Sequence, residues 1–354
     1  MISVLAISLN ILKVNGDDMK IIKRLFYCVV CFSIACVIAS PAPASDKKQS
    51  VSIGISKIVA HPALDALEKG VMDVVKLSYP DAKFDLQNAN GEIATAASIA
   101  RKFKSQKVTL AVGIATPTAQ ALVNAIKDVP VIYCAVTDPV DAGLVESYKA
   151  GGKNVTGVSD MTPVKEQILF LNRVKKIKTL GHVYCSSEAN AVRLAEIAKQ
   201  ACKELGIKFV EATVSNSSEV KQAVQAIIRR VDGIYISNDN TVVSALSAVS
   251  DVAMKHKKPI MSADPSSAET IPVLAAWGFD YYKMGRKTGA LIVDVLKGQK
   301  TETIPTVFMT DTSDVDLLLN MDVAATLGLT FPADAIKNAN TTILNGKLNK
   351  KNKL

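Results

Sequence analysis

Three histidines, one tryptophan and an aromatic fraction of 5% leave this 354-residue chain with little of what imidazole catalysis and metal sites draw on. His61, His182 and His256 are far apart, and only His61 falls at a predicted ligand edge, where a structural role beside Pro62, capping a helix or lining a cleft wall, is expected. No G-x-G-x-x-G follows the first predicted strand. No G-x-x-x-x-G-K-[ST], no H-E-x-x-H and no paired C-x-x-C occurs beyond residue 44. No nucleophile and base can be paired from motif or spacing, so an enzyme, a cofactor and a metal are not expected. Six cysteines are present, but Cys28, Cys31 and Cys36 belong to an apolar leader. Cys134, Cys185 and Cys202 remain, too few for a disulfide framework; one bridge would leave a thiol unpaired. Heptad runs and low-complexity arrays are absent.

What is present begins with export. From Met19 the chain reads as a basic n-region, an apolar stretch Leu25 to Ala39 short for a membrane span, and an A-x-A site at Ala42 to Ala44. Asp17 and Asp18 fit poorly before a signal peptide, which makes Met19 the expected start. Residues 1–44 are assigned to the extension and signal peptide. Cys36 is a second reading, as a lipidated cysteine, although Ser33 stands where a lipobox normally has leucine. The expected location is the periplasm, or the outer membrane face if Cys36 carries lipid. Of 42 basic and 33 acidic residues, four and two fall before residue 45, leaving a charge of +7. Much of that excess lies in the tail 346–354, read as a frayed, solvated terminus and not as a nucleic-acid patch.

A hydrophobic fraction of 49% suffices for two cores. Apolar β-branched runs alternate with helical spacing: Val51 to Ile55, then Leu64, Leu67, Val71, Val74 and Val75 behind a first-turn Pro62. The βαβα rhythm continues to Val136 and restarts after Asn154, with strands at 179–185, 208–214, 233–237 and 259–262. Val242 to His256 reads as one helix. Two such series predict an α/β protein of two doubly wound parallel-sheet lobes. The lobes are assigned to residues 45–157 and 158–278. Residues 279–300 return to the first lobe, and 301–345 to the second.

Open α/β sheets bind ligands beyond the carboxyl ends of their strands. Candidates there are Ser56, Thr116, Pro117, Thr137, Asp138, Ser159 and Asp160 in the first series, and Ser186, Asn238, Asp239, Asn240 and Asp264 in the second. Hydroxyls and free N–H groups at Thr116 to Thr118 and Thr137 suit a carboxylate, and Asp239 and Asp264 suit an ammonium group. Together they predict a zwitterion held between the lobes. Taken singly, each is also an ordinary helix cap or turn residue. Trp277 is either a ring for the ligand or a packing aromatic.

Several ordered motifs resemble one family. They are Ile53-Gly54-Ile55-Ser56-Lys57-Ile58-Val59 with His61-Pro62-Ala63-Leu64-Asp65; Gly113 to Gln120; Thr137 to Val140; Asn154 to Asp160; Asp239 to Val242; and Gly278 to Gly289. The mature chain resembles the ABC transporter substrate-binding family that includes tryptophan- and tyrosine-binding lipoproteins. A departure is Ile271 to Gly278, where relatives usually show a Gly-Ala-Leu-Ala type stretch. The resemblance implies a type I periplasmic-binding-protein fold with three hinge crossings, near 154–157, 278–280 and 299–303. It also implies a monomer that captures a small solute, an aromatic or aliphatic amino acid first, and delivers it to a permease and its ATPase. A sensor subunit using the same cleft is the alternative.

Overall fold

The computed structural model describes residues 51–351, so the readings of Met19, Cys36 and Ala44 lie outside the described residues. The first sheet is wholly parallel, in the order β11-β5-β4-β3-β1-β2. Its strands are β1 (Ser52–Lys57), β2 (Lys83–Asn88), β3 (Leu110–Ile114), β4 (Val131–Cys134), β5 (Val155–Ser159) and β11 (Val307–Phe308). Helices α1 (Pro62–Ser78), α2 (Ile93–Gln106) and α3 (Thr116–Ala125) connect the first four strands. β3, β4 and β5 are buried along their whole length, as the unbroken apolar runs of a doubly covered sheet require.

The second sheet follows the order β14-β13-β12-β10-β9-β8-β6-β7. β6 (Thr179–Cys185), β7 (Lys208–Val214), β8 (Gly233–Ile236), β9 (Ile260–Ser262) and β10 (Ala275–Phe279) are parallel neighbours. They alternate with α4 (Val164–Val174), α5 (Ala189–Glu204), α6 (Val220–Ile227), α7 (Asn240–Ser244), α8 (Leu246–Lys255) and α9 (Pro265–Ala268). The predicted helix 242–256 is thus two helices, parted at Ala245. β12 (Val315–Asn320) joins antiparallel to β10, and β13 (Thr341–Leu344) and β14 (Lys347–Lys350) extend the sheet beyond it.

The chain passes between sheets three times: after Ser159, at Asp280, and between Phe308 and Val315. After the second crossing α10 (Tyr281–Leu296) packs along α1 in the first lobe's core. Glycine permits this approach. A Cβ on Gly285 would stand 2.2 Å from the Leu67 carbonyl oxygen, and one on Gly70 would stand 2.4 Å from that of Tyr282.

Three further expectations need correction, the first being the third crossing, which lies at residues 309–314 and not near 299–303. Residues 301–308 belong to the first lobe and not the second, because β11 pairs with β5 at Val307–Val158. The tail is not frayed through residue 350: Lys347–Lys350 is an exposed edge strand registered on Thr341–Leu344. Cys134, Cys185 and Cys202 are all free and buried. Among the described residues no helix is long and apolar enough to cross a membrane.

Candidate functional site

The carboxyl ends of the parallel strands in the two sheets face one narrow cleft, whose free volume of about 20 Å³ is room for little more than a water molecule. The first lobe supplies His61, Ala63 and Leu64 from the start of α1, and Ala135 and Thr137 from beyond β4. The second supplies Asn190, Asn238, Asp239, Asn240, Val243 and Asp264. Asp160 and Tyr281 stand at the first and second crossings, where the lobes join. Ala135 holds φ +55°, a conformation costly for a residue with a Cβ and one that concentrates at ligand sites.

Asp160 is the polar centre. One carboxylate oxygen accepts from Thr137 Oγ1 at 3.0 Å, and the other accepts from Asn238 Nδ2 at 3.0 Å and Tyr281 Oη at 3.2 Å. Asn238 also donates to the Asp160 main-chain oxygen at 3.1 Å, tying the second lobe to the crossing. Burial raises the Asp160 pKa against the pull of these donors, and raises Tyr281 as well. Asp239 accepts from the Cys185 N–H at 2.6 Å and the Val242 N–H at 2.9 Å, capping α7. Burial, then the neighbouring Glu188 carboxylate, push its pKa up to about 8. Asp264 caps α9 through the Ser266 N–H and takes the Ser267 hydroxyl.

The structure therefore brings Thr137, Asp160, Asn238, Asp239, Asn240 and Asp264 to the cleft wall. The other candidates stand off it. Ser56 and Thr116 are buried at strand ends with unpartnered hydroxyls, Thr118 turns back on the Ile114 and Ala115 carbonyls, and Pro117 lines an outer groove between α2 and α3. The carboxylate seat expected at 116–118 is thus not at the cleft. Ser159 positions its neighbours by donating to the Thr137 carbonyl at 2.8 Å. Ser186 is exposed. Asp138 is buried beside the cleft and takes the Tyr148 hydroxyl. Trp277 projects from β10 into the second lobe, its ring 6.4 Å from that of Phe170 at 69°, with Gln167 donating to its carbonyl at 2.6 Å.

Sequence reasoning missed three groups. Glu188 is buried and accepts from Asn240 Nδ2, the Thr241 N–H and the Thr241 hydroxyl, fixing the start of α7. Tyr281 was hidden at the head of a predicted helix. Asn190 donates to the Asn238 carbonyl at 3.0 Å and keeps a buried, unpartnered Oδ1. Asn238 Oδ1 and both His61 ring nitrogens are likewise buried without a well-formed protein hydrogen bond.

Two parallel-rich α/β lobes, three crossings and a polar cleft between them define the type I periplasmic-binding-protein fold; chemistry on a ligand is not what this class does. The chain belongs to the ABC transporter substrate binding protein family, whose description it matches over residues 52–343. It is 38% identical over 299 residues to a tyrosine-binding protein of Clostridioides difficile, covering 83% of this chain and 86% of that one. The solved structure of an ABC domain from Streptococcus pneumonia in complex with L-Trp matches with a TM-score of 0.79 at 33% identity, covering 83% of this chain and 100% of the other. A ligand-free, open substrate-binding protein with adhesive properties from Clostridium difficile matches with a TM-score of 0.61 at 35% identity, covering 82% and 98%.

Proposed function

We propose that this chain is the exported solute-binding component of an ABC importer and that it captures an aromatic α-amino acid, tyrosine or tryptophan, by closing its lobes. The observation that carries the reading is the Asp160 cluster. A buried carboxylate at the crossing, framed by Thr137 from one lobe and Asn238 from the other, is a seat for an ammonium group that exists only when both lobes meet. Ala63, Leu64, Ala135 and Val243 give the same cleft an apolar wall for a side chain. Relatives that bind tyrosine and L-Trp support the ligand class.

At nearly equal identity the whole chain superposes better on the L-Trp complex than on the open, ligand-free relative, as a closed pair of lobes would, which supports capture by closure. In this reading the protein acts as a monomer outside the cytoplasmic membrane, and the closed form is what the permease and its ATPase receive. The test is a thermal-shift screen against the amino acids, because a ligand that binds only the folded state raises Tm. A rise confined to L-Tyr, L-Trp and their close analogues is expected; no rise with any amino acid sinks the ligand assignment.

A further inference from the structure

The cleft carries carboxyl groups and, among the described residues, no permanent cation. Asp160, Asp239 and Asp264 line it, Glu188 stands behind Asn240, and among the described residues no lysine or arginine lines it. A zwitterion brings an anion as well as an ammonium group, and an α-carboxylate enclosed by this wall needs a positive counterpart. One lining group can become cationic at moderate pH: His61. It is the N-cap of the 17-residue helix α1 but makes no side-chain cap, and both ring nitrogens are buried short of a well-formed hydrogen bond to the protein, with the Asn240 side chain within reach. Beside it, Ala63 and Leu64 belong to the first turn of α1, where N–H groups have no helical carbonyl to bond, and both line the cleft.

Resting on the amino-acid reading above, we infer that His61 and the first turn of α1 hold the solute's α-carboxylate, and that His61 takes a proton from solvent as the solute binds. Before binding, burial keeps the imidazole pKa low, opposed by the carboxylates of Asp264, on the loop before α9, Asp65 on α1 and Glu188 at the head of α5, with the Asn240 side chain alongside. The positive end of α1 also resists a cation there until an anion arrives. Across the cleft stand Asp160, Asp239 and Tyr281, all pushed toward their protonated forms. An arriving ammonium draws protons off those two carboxyls, so net proton exchange mixes both effects. His61's share is the difference between wild type and His61→Gln, which keeps a hydrogen-bonding amide but cannot become charged.

The experiment is calorimetric titration of the full chain with L-Tyr and L-Trp at pH 7 in buffers of different ionisation enthalpy. Wild type is expected to take up roughly half a proton or more per solute beyond His61→Gln, and the variant to bind about tenfold to a hundredfold more weakly. Equal proton exchange in the two proteins overturns the inference even if both bind. So does imidazole ¹⁵N NMR in which His61 of the wild type stays neutral on saturation, a readout independent of whether the variant folds. If neither amino acid binds wild type, the ligand assignment fails first, and the His61 role with it.

Discussion

Arg193, near the head of α5 in the second lobe, holds its Nε 3.5 Å from Asp138 Oδ2 in the first. Asp138 is the anchored partner: it is buried, and its other oxygen accepts from the Tyr148 hydroxyl at 2.6 Å and the Asp141 N–H at 3.1 Å. Arg193 is 38% exposed but its Nε is buried, so the pair bridges the lobes just beneath the protein surface, outside the residues that line the cleft. In the closure mechanism proposed above, its formation is coupled to closure and not to contact with the solute. Arg193→Ala should therefore weaken solute affinity by about fivefold at most, nearly all of it in the dissociation rate, with the association rate unchanged. Stopped-flow measurement at two salt concentrations checks this, since the difference from wild type should shrink as salt screens the pair.

Asp160 separates binding from stability. As a buried carboxylate with a raised pKa it opposes folding at neutral pH, while its three side-chain donors hold the cleft's geometry. Asp160→Asn keeps the shape, removes the charge and loses the anion proposed above to receive an ammonium group. The ligand-free variant should melt at or above the wild-type temperature, yet bind L-Tyr or L-Trp at least about tenfold more weakly. A variant that melts lower and binds normally would contradict both halves.

Much of the fold was legible because β3, β4 and β8 are unbroken apolar runs and α1 and α10 carry helical spacing. The expected lobe return at Tyr281 rests on the irregular late elements and the family resemblance, since helical spacing alone does not say which sheet a helix covers. β12 could not, since Val315-Asp316-Leu317-Leu318-Leu319-Asn320 has no clean alternation, and its partner residues in β10 lie 36 to 44 positions earlier, from Phe279 paired with Val315 to Ala275 paired with Leu319. Two-residue β11 and the lysine-rich β14 owe their strand character to neighbours and not to their own residues. In the site, Thr137, Asp160, Asn238, Asp239, Asn240 and Asp264 were readable because position at a strand end is a topological fact. Trp277 was not, because Ala275-Ala276-Trp277-Gly278 gives no contrast to tell which face of β10 meets Phe170. Glu188 stood two residues from the candidate Ser186, and only the approach of α7 reveals its three donors.

Asp239 gives ligand-free stability a pH dependence with a definite sign. Its folded-state pKa, about 8, lies above the ordinary value of 3.8, so the native state keeps a proton that the unfolded state releases. Stability from this group is greatest below about pH 4, falls as pH rises toward 8, and is level above that. Asp239→Asn retains an acceptor for the Val242 N–H and lacks the titration. Melting wild type and variant from pH 4 to 9 should show their Tm difference moving against wild type through that window and then holding constant.

The α1–α10 contact is a place where the first lobe tolerates little change. Gly285 faces the Leu67 carbonyl and Gly289 meets Val74, a Cβ there lying 2.8 Å from Val74 Cβ, so neither helix has room to retreat without opening the core around Leu67, Val71 and Met284. Gly285→Val must push α10 off α1, and because α10 starts at Tyr281 the displacement also disturbs the donor to Asp160. The expected cost is about 3 kcal/mol or more in unfolding free energy by denaturant titration. Solute affinity should drop in the same variant, whereas Gly346→Ala, at a positive-φ turn between β13 and β14 with open space around it, should lower stability through local strain and leave solute binding unchanged.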